Sequence, residues 1–170
     1  MRLAPILVVL TALAGPLGAQ DATDATLTQT AENASDVASD EDGMTTAERW
    51  AGDPTRIFDA GEVDLAELQW VARPLVVFAN SPRDPAFVEQ LENITREMDR
   101  LVERDVAIVV DTDPATPTEL RDRLRPRGFM MVLIGKDGQV KLRKPLPWTV
   151  REIGRSIDKM PLRQQEMRDG

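Results

Sequence analysis

The most regular feature of the chain is a set of three uninterrupted apolar runs, at residues 75–78, 106–110 and 129–134. A run that is apolar at every position is typical of a strand that helices cover on both faces. We therefore predict three buried strands, with helices in the intervals between them.

A fourth strand is predicted at residues 140–143, where apolar and basic residues alternate. The alternation places Val140 and Leu142 toward the core and Lys141 and Arg143 toward solvent. The intervening residues 135–138 are Gly-Lys-Asp-Gly, and Asp-Gly supplies the positive φ angles of a tight turn. The third and fourth strands are therefore predicted to form a hairpin.

Helical spacing is clearest after the first run. Asp84 is a good N-cap, Pro85 suits the first helical position, and apolar residues then recur every three or four positions. This pattern predicts one amphipathic helix whose buried stripe consists of Phe87, Leu91, Ile94, Met98 and Leu101.

Capping signals predict four further helices. They begin at Thr45 with Glu48 (around Trp50), Asp64 with Glu67, Thr116 with Glu119 (Pro117 in the first helical position), and Thr149 with Glu152. The second is predicted to bury Leu65, Leu68 and Val71 before Pro74 ends it. The third buries Leu120 and Leu124, and Pro161 ends the last.

From the first buried strand onward the predicted order is β-α-β-α-β-β-α. Two parallel strands joined by a right-handed crossover, then a hairpin and a helix, follow the order of the thioredoxin fold, which is an α/β class. The predicted domain covers residues 47–162, and residues 163–170 form a polar C-terminal tail.

Two N-terminal segments precede this domain. Residues 1–19 have a short basic start, an apolar run and small residues before Gln20, which is the pattern of a cleavable signal peptide. Retention as an anchor is the alternative, although the run is short for a bilayer. Residues 20–46 contain seven acidic and no basic or aromatic residues, and we predict a disordered acidic linker. We expect an exported protein, periplasmic or secreted, with no transmembrane segment in its mature form.

Composition excludes several kinds of chemistry, because the chain contains no Cys and no His. Thiol oxidoreductase and peroxidase activity, Ser-His-Asp catalysis and His-ligated zinc are all impossible without these side chains. We expect no catalytic residues, no cofactor and no bound metal, and whether the protein has any enzymatic activity stays open.

A family resemblance rests on residues 128–148, GFMMVLIGKDGQVKLRKPLPW, together with residues 73–79, RPLVVFA. These stretches resemble a domain-of-unknown-function family with a thioredoxin- or peroxiredoxin-like fold. The resemblance implies relatives among small secreted bacterial proteins and the terminal domains of vertebrate extracellular-matrix proteins with sushi repeats. It also implies a fold without an agreed function. In thioredoxins the loop after the first central strand holds two reactive cysteines, whereas here that loop is Asn80-Ser81-Pro82-Arg83.

Basic residues concentrate at residues 121–144, which contain eight basic and two acidic residues in a chain whose net charge is −8. We predict a binding face for a protein or an anionic envelope or matrix partner, and the alternative is an ordinary solvated face. Nucleic acid is not expected, because no aromatic stacking motif is present. We also hypothesise that the acidic residues 20–46 cover this face as an electrostatic lid. The predicted binding residues are Arg125, Arg127, Lys136, Lys141, Arg143 and Lys144.

Three alternatives remain open. Ser81 and Arg83, in the loop from Asn80 to Asp84, stand where a helix start favours an anion, although plain capping also explains them. Asp111 and Asp113 follow a buried strand and offer oxygen ligands to Mg²⁺ or Ca²⁺, although Asp also favours turns. Together, this loop and the two carboxylates would form the site of a small-ligand-binding or ion-binding protein, or of an enzyme.

A structural or assembly role would instead use Trp50, Trp70 and Trp148. The oligomeric state stays open.

Overall fold

A computed structural model describes residues 43–169. The signal peptide predicted at residues 1–19 and most of the linker predicted at residues 20–46 lie outside the described residues. Within the described range no helix is long and apolar enough to cross a bilayer.

A five-stranded sheet forms the centre of the domain, in the order β1-β3-β2-β4-β5. The first three strands along the chain run parallel, β4 runs antiparallel to β2, and β5 pairs antiparallel with β4. This order, with a parallel crossover followed by a hairpin at one edge, confirms the predicted thioredoxin-like α/β fold. The strands are β1 (Ile57–Asp59), β2 (Arg73–Phe78), β3 (Val106–Asp111), β4 (Met130–Ile134) and β5 (Val140–Lys144).

Six α-helices accompany the sheet in the described residues, together with a short 3-10 helix at Ala60–Glu62. Two predicted capping boxes, Thr45 with Glu48 and Thr149 with Glu152, are confirmed, as is the Asp84 cap with Pro85 behind it. The helices are α1 (Thr46–Gly52), α2 (Pro85–Arg96), α3 (Met98–Val102), α4 (Glu119–Leu124), α5 (Val150–Asp158) and α6 (Pro161–Asp169).

Two apolar layers lie on opposite sides of the sheet, because successive residues of a strand point to opposite faces. We call the face covered by α2, α3 and α5 the first face; Leu75, Ile108 and Leu133 belong to its core. The second face is covered by α1, α4 and the segment before β2, and Val76 and Val109 belong to its core. Every residue of β2 is buried, as the apolar run predicts for a central strand.

The helix predicted after Asp64 does not form. The Asp64 carboxylate accepts the N–H of Ala66 at 2.7 Å, and the Glu67 carboxylate accepts the N–H of Thr46 at 2.6 Å. Glu67 therefore ties α1 to this segment instead of closing a capping box with Asp64, and residues 65–71 form successive turns. Trp70 adopts φ 66°, which no regular helix allows. Leu68 is nevertheless fully buried, as predicted, whereas Val71 is exposed.

Other helix boundaries also differ from the predictions. Thr118, not Thr116, caps α4, because the Thr116 hydroxyl donates instead to Asp113. The long helix predicted up to Leu101 divides at Glu97 into α2 and α3. The pattern missed β1, a three-residue strand in which only Phe58 is buried. Part of the predicted polar tail is helical, and α6 buries none of its residues.

The β4–β5 hairpin contains a β-bulge that the alternation did not predict. Leu133 pairs with Leu142, but the neighbouring Ile134 pairs with Val140, so Lys141 is the extra residue. The bulge places Val140 on the face of Ile134, where it is 38% exposed, whereas Leu142 packs against the first-face core. The prediction that Val140 faces inward is therefore wrong.

A charge network around the buried Arg73 joins the last helix to the start of β2. The Arg73 side chain is only 1% exposed, and its guanidinium donates to both carboxylate oxygens of Glu166 at 2.8 and 2.9 Å. Lys136 Nζ lies 2.8 Å from Asp105 and 3.0 Å from Glu166, and Arg163 approaches Glu166 at 3.3 Å. We call these five residues the Arg73 cluster. It anchors α6, which has no buried side chain of its own.

We predict that Arg73→Ala lowers the free energy of unfolding by about 2–4 kcal/mol, because it truncates a buried side chain and removes its hydrogen bonds to Glu166 and to the Arg104 carbonyl. Urea denaturation measures the change. Lys159→Ala, at an exposed position of the same region, is the control and is expected to change stability by no more than about 0.5 kcal/mol. Equal, small effects of both substitutions would contradict a stabilising role for Arg73.

The Arg73 cluster also predicts a pH dependence. Burial alone would raise the pKa of Glu166, but hydrogen bonds from Arg73 and Lys136, with their positive charges, lower it below the ordinary value of 4.5. The stability that this lowering contributes is fully present above pH 4.5 and disappears as the pH falls through the lowered pKa. Comparing urea denaturation of the native chain and Glu166→Gln across pH measures it. The difference is expected to be constant above about pH 5.5 and to shrink in stronger acid; a difference that does not change with pH would contradict this prediction.

Candidate binding surfaces

The loop between β2 and α2 does not leave its helix start open to an anion. The Asp84 carboxylate accepts the N–H groups of Ala86 at 2.9 Å and Phe87 at 3.4 Å. Ser81 Oγ accepts the N–H of Arg83 at 3.2 Å, within the same turn. The backbone donors at this helix start are thus bonded to the chain's own carboxylate, and the exposed Arg83 remains at the surface beside them.

Asp111 lies at the carboxyl end of β3 and binds an arginine instead of an open site. Its side chain is buried and accepts Arg121 Nε at 2.8 Å and the Thr118 hydroxyl at 2.9 Å. Arg121 also donates to the carbonyl oxygen of Ala79 at 2.9 Å, and its guanidinium stands 5.6 Å from the centre of the Phe78 ring. Asp111 and Arg121 therefore tie β2, β3 and α4 together.

Asp113 is exposed and forms a turn of its own. Its carboxylate accepts the Thr116 hydroxyl at 2.7 Å and the Ala115 N–H at 2.9 Å, and these two hydrogen bonds lower the pKa of Asp113. Asp111 and Asp113 thus bind different partners. Within residues 43–169 no group of three or more acidic side chains is arranged to hold a metal ion.

Two of the predicted basic residues are paired with carboxylates. Lys136 belongs to the Arg73 cluster, and Lys141 Nζ lies 2.5 Å from Asp137. Burial raises the pKa of Asp137, but hydrogen bonds from Lys141 and the Gln139 N–H lower it, and the net shift is downward. These ion pairs reduce the positive charge that Lys136 and Lys141 present to a partner.

The prediction that Lys141 and Arg143 share one face of the hairpin is wrong. Because Lys141 is the bulge residue, its side chain borders a small cavity beside Met160 and Pro161 at the end of α5. Arg143 lies opposite Val132 on the second face, and its guanidinium donates to the Leu124 carbonyl at 2.6 Å. Lys144 returns to the first face, with Nζ 4.1 Å from the centre of the Trp148 ring.

The positive charge that remains lies along the end of α4 and the adjoining strand β5. Arg123 donates to the Gly138 carbonyl at 3.1 Å, and Arg143 donates to the Leu124 carbonyl. Arg125 adopts φ 47° as the C-cap of α4, and Arg127 follows it; both are exposed. Among the described residues no carboxylate pairs with these arginines, and carbonyl oxygens leave their net charge in place. We call Arg123, Arg125, Arg127 and Arg143 the α4–β5 edge.

A second basic surface was missed from the sequence. Arg100 and Arg104 at α3, and Arg151 and Arg155 on α5, border a groove of about 190 Å³ on the first face. The signal was available, because the members of each pair are four residues apart, which is the spacing of about one helical turn. Only the packing of α3 against α5 brings the two pairs together. We call these four residues the arginine groove.

The three tryptophans occupy different environments. Trp50 is buried in the second-face core, Trp148 packs partly against the first-face core, and Trp70 is 64% exposed. An apolar groove on α2, lined by Pro82, Val88 and Leu91 among others, is another exposed apolar surface of the described residues. Trp50 and Trp148 therefore contribute to packing, which leaves Trp70 as the tryptophan available to a partner.

We predict that Asp111→Ala lowers the free energy of unfolding by about 3 kcal/mol, because Arg121 then loses a buried partner. Asp113→Ala is the matched control, and its exposed position predicts a change within about 0.5 kcal/mol. Chemical denaturation measures both. A thermal shift caused by millimolar Mg²⁺ or Ca²⁺ in the native chain, and absent in Asp111→Ala, would instead support an ion site.

Comparison with solved structures finds a peroxiredoxin and a thioredoxin peroxidase, both from Plasmodium species. A reduced 2-Cys peroxiredoxin from Plasmodium vivax has a TM-score of 0.49 and 17% sequence identity, over 63% of this chain and 86% of that one. Thioredoxin peroxidase I of Plasmodium yoelii has a TM-score of 0.47 and 19% identity, over 62% and 80% of the two chains. This chain has no cysteine, so thiol chemistry is not available to it.

Sequence comparison finds a longer relative and a family. Coiled-coil domain-containing protein 80 of Danio rerio is 29% identical over 133 residues, and the match covers 61% of this chain but only 15% of that protein. The family described as Domain of unknown function (DUF4174) matches residues 64–166, which include β2 to α5 and all five residues of the Arg73 cluster. Since this match takes in more than half of the chain, the protein belongs to the DUF4174 family.

Proposed function

We propose that the protein is a non-redox, thioredoxin-like binding module that binds an acidic or anionic partner through the α4–β5 edge. The observation that carries the proposal is the charge of that edge. Its four arginines donate to backbone carbonyls or face solvent, and no carboxylate of residues 43–169 pairs with them. Uncompensated charges of one sign raise the local concentration of ligands of the opposite sign.

A binding role also agrees with which side chains are available for catalysis. Cysteine and histidine are absent from the sequence. Asp84 caps a helix, Asp111 holds Arg121, and Asp113 closes a turn. The acceptor oxygens of these three carboxylates are thus engaged by the chain itself.

The proposed edge includes fewer of the basic residues than the face expected from the sequence. Arg125, Arg127 and Arg143 remain candidates for partner contact, and Arg123 joins them. Lys136 and Lys141 act mainly through their ion pairs, and Lys144 contacts the Trp148 ring on the other face. Among residues 43–169 no strand pairs with the outer side of β5, and its backbone groups there are a second means of contact for an extended acidic peptide.

The setting of this function is part of the proposal. Export through residues 1–19, a partner in the cell envelope or extracellular matrix, and the electrostatic lid of residues 20–46 all stay predictions from the sequence. Kinship with secreted bacterial and sushi-repeat matrix proteins stays a prediction too. The relative from Danio rerio, of which the match covers 15%, supports a module that also occurs within a larger protein.

We predict that Arg125→Glu combined with Arg127→Glu weakens binding to vesicles containing phosphatidylserine, or to polyglutamate, by at least about tenfold at low salt. Each basic residue near an anionic surface contributes about 1 kcal/mol, and the substitution reverses two of them. Co-sedimentation with vesicles and fluorescence titration with polyglutamate measure the binding.

Arg96→Glu combined with Arg168→Glu is the matched control, because it changes the net charge equally at exposed positions away from the edge. Both variants are also compared at about 0.15 M salt, where screening reduces the effect of net charge, and there the control is expected to bind within about twofold of the native chain. Equal losses in both variants would show that only net charge matters. Binding that neither variant weakens would also reject the α4–β5 edge as the binding site. Its arginines would then have the simpler role of preventing strand β5 from pairing with another chain.

A further inference from the structure

The arginine groove lies on the first face, between the end of α3 and the helix α5. Its volume is about 190 Å³, which corresponds to about six water-sized volumes. Besides its four arginines, Asp158 and Gly154 border it. The α4–β5 edge belongs to the second face, so the two basic surfaces are separated by the sheet.

Two of the four arginines of the groove are paired with carboxylates. Arg104 donates to both carboxylate oxygens of Asp158, at 2.9 and 3.2 Å, and to the Arg100 carbonyl at 2.8 Å. Arg100 pairs with Glu97 at 2.6 Å. The contacts of Arg104, whose side chain is 22% exposed, hold its guanidinium in place before any ligand arrives, which lowers the entropy lost on binding; the Arg100 side chain is 56% exposed and is held by its single ion pair alone.

The other two arginines have no direct carboxylate partner in the described range. Arg151 and Arg155 are exposed, and no hydrogen bond or ion pair joins their guanidiniums to residues 43–169. They lie one turn apart on α5, where like charges repel and destabilise the helix. An anion between them removes that repulsion.

Gly154 keeps the floor of the groove open. It is buried in the middle of α5, and a Cβ at this position would lie 3.3 Å from Arg104 Nε. Any side chain larger than hydrogen would therefore press on the guanidinium that Asp158 holds. Glycine is a poor residue for a helix interior, and here its lack of a side chain allows the close approach of α5 to Arg104.

We propose that this groove binds a tetrahedral dianion, the phosphate or sulfate group of a small molecule or ester. Guanidinium forks bind such oxygens through paired, charge-assisted hydrogen bonds. Arg151 and Arg155 provide the main contacts, and Arg100 and Arg104, which are paired with Glu97 and Asp158, shape the site. The site goes beyond the function proposed for the α4–β5 edge and shares no residue with it, so either proposal can fail alone.

The test is a titration of the full chain with four inorganic or small anions at constant ionic strength, followed by NMR of the arginine Nε–Hε signals. Sulfate and phosphate are the tetrahedral dianion probes, methanesulfonate is a tetrahedral monoanion, and acetate is planar. We expect saturable shifts of the Arg151 and Arg155 signals with sulfate and phosphate, and binding at least about tenfold weaker with the two monoanions. The ratio of sulfate to phosphate affinity tells which ester the groove prefers.

Two variants separate a shaped site from general positive charge. Arg151→Gln with Arg155→Gln is expected to weaken sulfate binding at least about tenfold, whereas Arg125→Gln with Arg127→Gln, the same loss of charge on the other face, leaves it within about twofold. Gly154→Ala keeps every charge and is expected to weaken binding by narrowing the floor.

Three results would overturn the proposal. The first is the absence of saturation with either dianion at millimolar concentration. The second is an equal loss of sulfate binding in the variants of the two faces. The third is equal affinity for sulfate and methanesulfonate, which would show that the groove does not distinguish a dianion. Circular dichroism of each variant confirms that the fold is intact.

Discussion

The burial of β2 on both faces is the constraint on which the rest of the structure depends. All six of its residues are buried, with β3 on one side, β4 on the other and a helical layer above and below. Leu75 and Val77 supply one core and Val76 and Phe78 the other. Backbone groups so far from water must be paired, which β3 and β4 accomplish along the strand. The helices are placed by the need to cover this strand.

Arginine-carboxylate contacts tie the ends of the layers to this strand. Arg73 at the start of β2 holds Glu166 of α6, and Arg121 at the other end joins Asp111 to the Ala79 carbonyl. A third pair, Arg104 with Asp158, fastens α5 to the turn after α3. A planar guanidinium with five donors suits these positions, because it pairs with a carboxylate and backbone carbonyls together. These residues are thus structural, and only arginines outside such pairs remain for partners.

The two proposed binding surfaces follow from that division. The α4–β5 edge and the arginine groove lie on opposite faces. No carboxylate of the described range pairs with the four arginines of the edge, and in the groove the same holds for Arg151 and Arg155. The first suits an extended anionic partner along an open sheet edge, and the second suits one compact dianion in a groove. The loop that carries cysteines in thioredoxins is here a capped helix start. Both proposed binding surfaces lie in other parts of the fold.

The sequence by itself determined the core of this protein, because buried strands and helices require apolar residues at regular positions. The apolar runs at β2, β3 and β4, the caps at Thr45, Asp84 and Thr149, and the absence of Cys and His were sufficient for the fold class and for excluding thiol chemistry. Tertiary structure decided what depends on contacts between distant residues. Glu67 binds Thr46 instead of closing a helix, and one extra residue at Lys141 separates two basic side chains that alternation places together. The same holds for charged residues. Lys136 and Arg125 are both basic residues of one cationic stretch, and the sequence does not distinguish them. Only the fold places Asp105 and Glu166 beside Lys136 and leaves Arg125 exposed.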